Sequence, residues 1–381
     1  MIDYCLNAYN MPDLNLSAGK IIELAIKNNF ASGNVWQNYL THFIVNDENF
    51  FSLSCERRTP PDGTLESIAI SDFAEFMKFF SFSRKWLENF ESTNNESDSI
   101  ICELSRKLAD SDSPEKFYNH VTSFYANYGV GVFALNRAFK YYEGKIIPVK
   151  VDENIKLENL VGYEIQKAEL TRNTEAFING RPANNVLLYG DGGTGKSTSV
   201  KALLNKYFSQ GLRVVEVYKH QFRDILKIAH KLRRRNYKFI LFIDDLSFEE
   251  NEIDYKFLKA IIEGGIETKP ENILIYATSN RRHIVREVWK DRDDMEHKGD
   301  IHRSDTVEEK LSLASRFGIA INYSSPTREN YHDIVIELAK EAGLEIEREK
   351  LLYGADRWEI QHGGKTGRAA RQYIDYLLGE K

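Results

Sequence analysis

Eight residues, from Gly190 to Ser197 in the run VLLYGDGGTGKSTS, carry the pattern G-x-x-x-x-G-K-S. Glycines at these spacings let a loop turn backbone N–H groups inward around phosphate oxygens. The helix that follows adds partial positive charge at its N-terminus. Gly190, Asp191, Gly192, Gly193, Thr194, Gly195, Lys196, Ser197 and Thr198 are therefore candidate contacts for a nucleotide's phosphates. The Lys196 ammonium would reach the β- and γ-phosphates of ATP, and the Ser197 hydroxyl would ligate Mg2+. The plainer reading is a glycine turn capping a surface helix.

A second acidic cluster suits the same chemistry. The run FILFIDD ends on Asp244 and Asp245. The first carboxylate would hold Mg2+, and the second would accept a proton from, or orient, an attacking water. The run ILIYATSN ends on Asn280, whose amide could contact both the γ-phosphate and that water, with Thr278 and Ser279 as weaker candidates. Arg316, just before another apolar run, is a candidate arginine finger for a neighbouring subunit's site. Arg281 and Arg282 compete for that role. Arg368 and Arg371, three apart at the start of a late helix, could reach the γ-phosphate from a helical lid. Each of these arginines also has a bland reading, as surface or helix-end charge.

The elements that must hold these groups alternate. Strands are expected at NVLLYG, RVVEVY from Arg213, KFILFIDD from Lys238, NILIYATSN from Asn272 and GIAINY from Gly318. Helical stretches separate them, which predicts a parallel sheet with helices on both faces. From Ser325 the chain is helical again. From Ile2 to about Tyr142 it is also mainly helical, and Phe73, Phe76, Phe79, Phe80, Trp86 and Phe90 crowd one segment. They are expected to form an aromatic core, with a docking surface as the alternative. KIIPVKVDENIKLENLVGYEIQK is expected to be an extended connector. The domains are placed at 1–150, 151–324 and 325–381.

The 381 residues suffice for two or three domains, and 42% are hydrophobic. A formal charge of −6 gives no global bias toward nucleic acid. HKLRRRNYK, from His230, is one local basic cluster, a weak pointer to nucleic acid and equally suited to a helix C-terminus. Cys5, Cys55 and Cys102 fit neither a disulfide framework nor zinc spacing. Asp300, His302 and Asp305 are too few ligands for a metal site. No stretch is long enough to span a membrane, and Asp3 stands where a signal peptide would be basic, so a cytoplasmic protein is expected.

Taken in order, GDGGTGKS, the acidic pair, ATSN, SRFG and the late Gly-Arg helix resemble the AAA+ ATPase superfamily. LVGYEIQKAELTRNTEAFINGRPANNVLLYGDGGTGKSTSVKALL, DDLSFEE and HRSDTVEEKLSLASRFG further resemble one uncharacterised bacterial family, domain of unknown function 815. The resemblance implies a five-stranded α/β core in the order 5-1-4-3-2 with a C-terminal helical lid. It makes Lys196 and Ser197 the Walker A residues, Asp244 and Asp245 the Walker B acids, Asn280 sensor 1, Arg316 the finger and Arg368 sensor 2, with Arg371 in reserve. Leu160, Val161, Gly162 and Tyr163 fall where such proteins contact adenine. The second acid is usually Glu in this superfamily; Asp245 is one methylene shorter, which implies slow turnover unless Glu249 or Glu250 contributes.

The expected function is an ATPase that works with Mg2+ as a homo-oligomer, a hexamer being one candidate, and remodels an unknown protein client. The alternative is a slow nucleotide-dependent switch or loader acting on a nucleic-acid or protein complex. A small-molecule kinase ranks third, because it would not need ATSN, SRFG or the lid helix.

Overall fold

The computed structural model describes residues 14–81, 100–247, 255–263, 270–280 and 316–379. They form two compact units, 1–136 and 137–381.

The first unit is helical: α1 (Leu14–Lys27), α2 (Val35–Asn46), α3 (Phe50–Glu56), α4 (Thr64–Phe80), α5 (Ile100–Ala109), α6 (Pro114–Tyr128) and the short α7 (Val132–Leu135). Side-chain caps set several starts. Asn34 accepts from the Gln37 N–H, and Ser113 caps α6 with Pro114 in its first turn. Phe73, Phe76 and Phe80 are buried on one face of α4, at spacings of three and four, and pack on Phe117. The described part of the aromatic stripe is therefore core; Trp86 and Phe90 lie outside the described residues. Cys55 and Cys102 are buried and in no disulfide, and burial pushes the Cys55 thiol up to about 11.

The second unit is built on one sheet of seven strands, not five. They are β1 (Ala138–Tyr142), β2 (Lys145–Val149), β3 (Val186–Gly190), β4 (Leu212–Glu216), β5 (Lys238–Ile243), β6 (Ile273–Asn280) and β7 (Ile319–Tyr323). Across the sheet the order is β2-β1-β4-β5-β6-β3-β7. Among the described strands only the β1–β2 pair is antiparallel. The five runs expected as strands supply β3 to β7, and the other two strands correct the sequence reading. The sequence pattern makes residues 138–149 the end of a helical domain and the start of a connector. Instead they fold as a hairpin whose first strand pairs in parallel with β4. Pro148 sits in the edge strand β2, where its missing N–H costs the ladder least.

Helices α8 (Glu164–Ile178), α9 (Lys196–Tyr207), α10 (Ile225–Leu232) and α11 (Tyr255–Glu263) flank the strands. The central strands are buried almost throughout, as parallel strands between helices must be. On β6, Leu274 and Tyr276 share a core with Val200, Leu203 and Leu204 of α9. The two-residue period then carries Thr278 and Asn280 onto that same face. After β7 come α12 (Arg328–Glu341), α13 (Arg348–Gln361) and α14 (Gly367–Gly379). They close a core of their own around Tyr331, Val335, Leu351, Ala355 and Tyr373. Among the described residues no helix is long and apolar enough to cross a membrane.

Candidate functional site

The glycine-rich loop leaves the C-terminal end of β3 and enters α9 at Lys196. Gly190, Gly193 and Gly195 all have positive φ, at +134°, +75° and +94°. Gly190 also lies against the backbone of Tyr323 so closely that no Cβ would fit. The loop is thus anchored on β7, and the Asp191 N–H donates to the Tyr323 carbonyl at 3.1 Å. Thr194, buried, donates its hydroxyl to the Asp191 carbonyl at 2.8 Å.

Lys196 is buried to 7% exposure and donates to the carbonyls of Gly190 (2.9 Å) and Asp191 (2.6 Å). Its Nζ is also 3.5 Å from Asn280 Oδ1. Desolvation lowers its pKa; the carboxylates of Asp191, Asp244 and Asp245 pull the other way, and Arg368 adds to the lowering. Two cations, Lys196 and Arg368, therefore converge on the loop. An anion bound there would relieve both the burial and the repulsion.

The acids complete the network. Ser197 Oγ donates to Asp244 Oδ1 at 2.6 Å, and Thr278 Oγ1 donates to the same oxygen at 2.6 Å. The Asp245 N–H donates to Thr278 Oγ1 at 2.9 Å, and Asn280 Nδ2 donates to Asp245 Oδ1 at 2.9 Å. Asp245 is in the left-handed region, φ +54°, which Asp tolerates better than most residues. The backbone of β6 holds that turn: the Leu246 N–H donates to the Thr278 carbonyl at 2.7 Å. So β3, β5 and β6 bring Lys196, Ser197, Asp244, Asp245 and Asn280 together, although the sequence scatters them over 85 positions from 196 to 280.

A Ser hydroxyl beside a carboxylate is a pair of hard oxygen donors. Mg2+ takes one or two such protein ligands and fills its octahedron with substrate phosphates and water. Ser197 and Asp244 fit that requirement. A metal cage made by protein alone is a different matter: among the described residues no group of three His, Cys, Asp or Glu side chains could hold an ion.

The helical C-terminal segment touches the loop twice. Asp191 Oδ2 accepts from the N–H and the hydroxyl of Ser325, at 2.9 and 2.8 Å, where the chain leaves β7 for α12. At α14, Thr366 Oγ1 accepts from the Ala369 N–H, and the Arg368 N–H donates to the Gly193 carbonyl at 3.3 Å. Arg371 points elsewhere, 3.8 Å from Glu341. Leu160 packs toward Gly195, while Val161 packs on the helical C-terminal core. Gly162 and Tyr163 follow with φ of +79° and +60°. Tyr163 stacks on Tyr323, donates to the Ser324 carbonyl at 2.8 Å, and has its phenol pushed up to about 12 by burial. Residues 160–163 thus lie between the sheet core and the helical core, beside the loop.

Arg316 is not brought to this cluster. It precedes β7, whereas Tyr323 at the other end of that strand pairs with Gly190. The intervening strand is roughly 13 Å long at 3.3 Å per residue, beyond an arginine's reach. Arg281, Arg282, Glu249, Glu250, Asp300, His302 and Asp305 lie outside the described residues. Sequence reasoning missed the Asp191–Ser325 contact and underrated Thr278. The period-two alternation on β6 was the available signal for Thr278.

The family described as "Protein of unknown function (DUF815)" matches residues 134–381. The chain belongs to DUF815. No curated protein matches it. Among solved structures, this DUF815 protein is similar to the Thermotoga maritima RuvB Holliday junction branch migration motor, at 20% identity and a TM-score of 0.40. That match covers 60% of this chain and 65% of RuvB. Two point-substituted forms of the same RuvB match alike. One gives 19% identity and a TM-score of 0.42, covering 60% of this chain and 65% of that one. The other gives 18% and 0.40, covering 59% and 64%. The DUF815 chain thus spans just under two-thirds of the length of these solved structures.

Proposed function

We propose that this DUF815 protein is an AAA+ ATPase that hydrolyses ATP to ADP and phosphate as a homo-oligomer. The observation that carries the reading is the single hydrogen-bonded network joining the Lys196 loop, Ser197–Asp244 and Asp245–Asn280. Backbone N–H groups of residues 192–196 would bind the phosphates. Lys196 exchanges its loop carbonyls for phosphate oxygens and neutralises charge developing on the γ-phosphate. Ser197 and Asp244 would hold Mg2+, which would supply positive charge beside the phosphates. Asp245, fixed by Asn280, orients water for in-line attack on the γ-phosphorus and accepts its proton as the bond to the ADP oxygen breaks.

Arg368 would report loss of the γ-phosphate to the helical C-terminal segment, and residues 160–163 would receive the adenine. Arg316, too far to act within its own subunit, would complete a neighbour's site. The helical first unit would then select a protein client. A second reading, a slow switch or loader, is favoured by one feature: Asp245 is short and already tied to Asn280, which suits slow turnover.

The test pairs nucleotide binding with phosphate release. Lys196→Ala should weaken ATP binding. Asp245→Asn, which keeps the left-handed turn accessible, should bind ATP and lose at least about 100-fold in turnover. Wild-type turnover in Asp245→Asn would refute the assigned base, and a wild type that binds no ATP would refute the reading as a whole.

A further inference from the structure

Thr278 is 2% exposed and its hydroxyl has two bonds, both to the acidic strand end. It donates to Asp244 Oδ1 and accepts from the Asp245 N–H. Ser197 donates to that same Asp244 oxygen, so two hydroxyls, one from each neighbouring element, converge on one carboxylate atom. A carboxylate oxygen saturated by two O–H donors has its rotation about χ2 fixed, and its other oxygen takes a defined direction. The Asp245 contact does a second job. It satisfies a backbone N–H where the chain turns left-handed, a conformation an L-residue keeps only when neighbours hold it. One hydroxyl therefore sets both the direction of Asp244 and the turn that aims Asp245.

We propose that Thr278 is the positioning residue of this site, acting through Asp244 to set how Mg2+ is held with the nucleotide and through Asp245 to set where the water is held. The inference rests on the ATPase reading above. Thr278 is buried and its hydroxyl bonds only to the two acids. Valine would fill its volume and suit the strand, yet would strip both bonds, so the hydroxyl and not the packing is what the site requires.

The experiment measures affinity for a fluorescent ATP analogue in Mg2+ and in EDTA, for wild type, Thr278→Val, Thr278→Ser and Asp244→Ala, with thermal unfolding alongside. The expected result is that Thr278→Val loses about tenfold of the Mg2+-dependent gain in affinity, as second-layer ligand contacts do. Its affinity in EDTA should stay at the wild-type value, and Thr278→Ser should restore the gain. In the Asp244→Ala background Thr278→Val should add nothing to that loss, because the partner it acts through is gone. An undiminished Mg2+ gain in Thr278→Val overturns the proposal. So does equal loss in Mg2+ and EDTA with a lowered Tm that serine does not rescue, which marks the residue as structural. A wild type that binds the analogue with no Mg2+ gain at all refutes the metal assignment of Ser197 and Asp244, and this inference with it. The expected Mg2+ pattern with no hydrolysis by wild type would keep the action of Thr278 through Asp244 and overturn its action through Asp245 together with the turnover reading.

Discussion

The backbone N–H of Arg368 donates to the carbonyl of Gly193, so the first turn of α14 rests directly on the glycine-rich loop. A Cβ at Gly193 would come within 3.0 Å of Arg368 Cβ and 3.2 Å of Thr366 Oγ1, and φ there is +75°. Gly192 next to it has no such neighbour, its nearest contact being Asn280 Oδ1 at 3.9 Å. Gly193→Ala should therefore cost about 1–2 kcal/mol from the left-handed backbone alone, seen as a Tm lower by a few degrees. Gly192→Ala should unfold like wild type. Thermal unfolding of the two variants checks this, and equal Tm values would show that the positive φ and crowding at Gly193 carry no cost.

Asp191 ties the loop to the chain leaving β7 through two donors on one residue, Ser325. Asp191→Ala removes the acceptor for both; the contacts are exposed and water can replace it, so the cost should be about 1 kcal/mol. The Ser325 amide should then exchange hydrogen faster than in wild type, while amides in β5 and β6 keep their protection. Asp191→Asn, which retains a carbonyl acceptor, should fall between. Unchanged exchange at Ser325 would mean that the junction is held by something other than this carboxylate.

The central strands β3, β5 and β6 were legible because each is a continuous apolar run ending in glycine or polar residues, as in VLLYG and FILFIDD. The β1–β2 hairpin was not, because AFKYY continues a helix-like aromatic pattern and Pro148 argues against a strand unless the strand is an edge. The loop lysine and the acids were legible as local spacing within a motif. Thr278 was legible only as a weak candidate and Ser325 not at all, because their roles arise from pairings 34 and 134 residues long in sequence. Arg316 was legible as a residue type but not as a position: only the parallel register of β3 and β7 shows that it stands at the far end of its strand from the loop.

Lys196 gives a pH dependence with a defined sign. Burial lowers its pKa from the ordinary lysine value of 10.5, so the folded protein disfavours the ammonium that phosphates favour. Below the lowered pKa the charge is present and affinity for ATP is full. As pH rises through that value, binding must take up a proton, and affinity should fall, beginning below 10.5. Fold stability runs the other way: this residue's penalty is present at low pH and is relieved as pH climbs from the lowered pKa toward 10.5. Calorimetric titration with ATP above pH 8, in buffers of different ionisation heat, reads the proton uptake. In Lys196→Arg, whatever affinity remains should be flat over the same range. A fall of the same size in that variant would assign the effect to another group.

Arg316 supplies a test that only a shared site can pass. It cannot reach the glycine-rich loop of its own chain along β7, so the proposed finger role requires a second copy. Arg316→Ala should leave ATP binding intact and lower turnover by about 10³-fold. Asp245→Asn should also be inactive, for a different reason: its finger is intact and its own water is not activated. Mixing the two variants places an Arg316→Ala site, with all of its acids, beside an Asp245→Asn subunit that still carries the arginine. Phosphate release should reappear in the mixture, at a fraction of the wild-type rate set by random assortment, and should rise with protein concentration for wild type alone. A mixture as inactive as its components would remove Arg316 from the site, and hydrolysis by wild type independent of concentration would show that each subunit works alone.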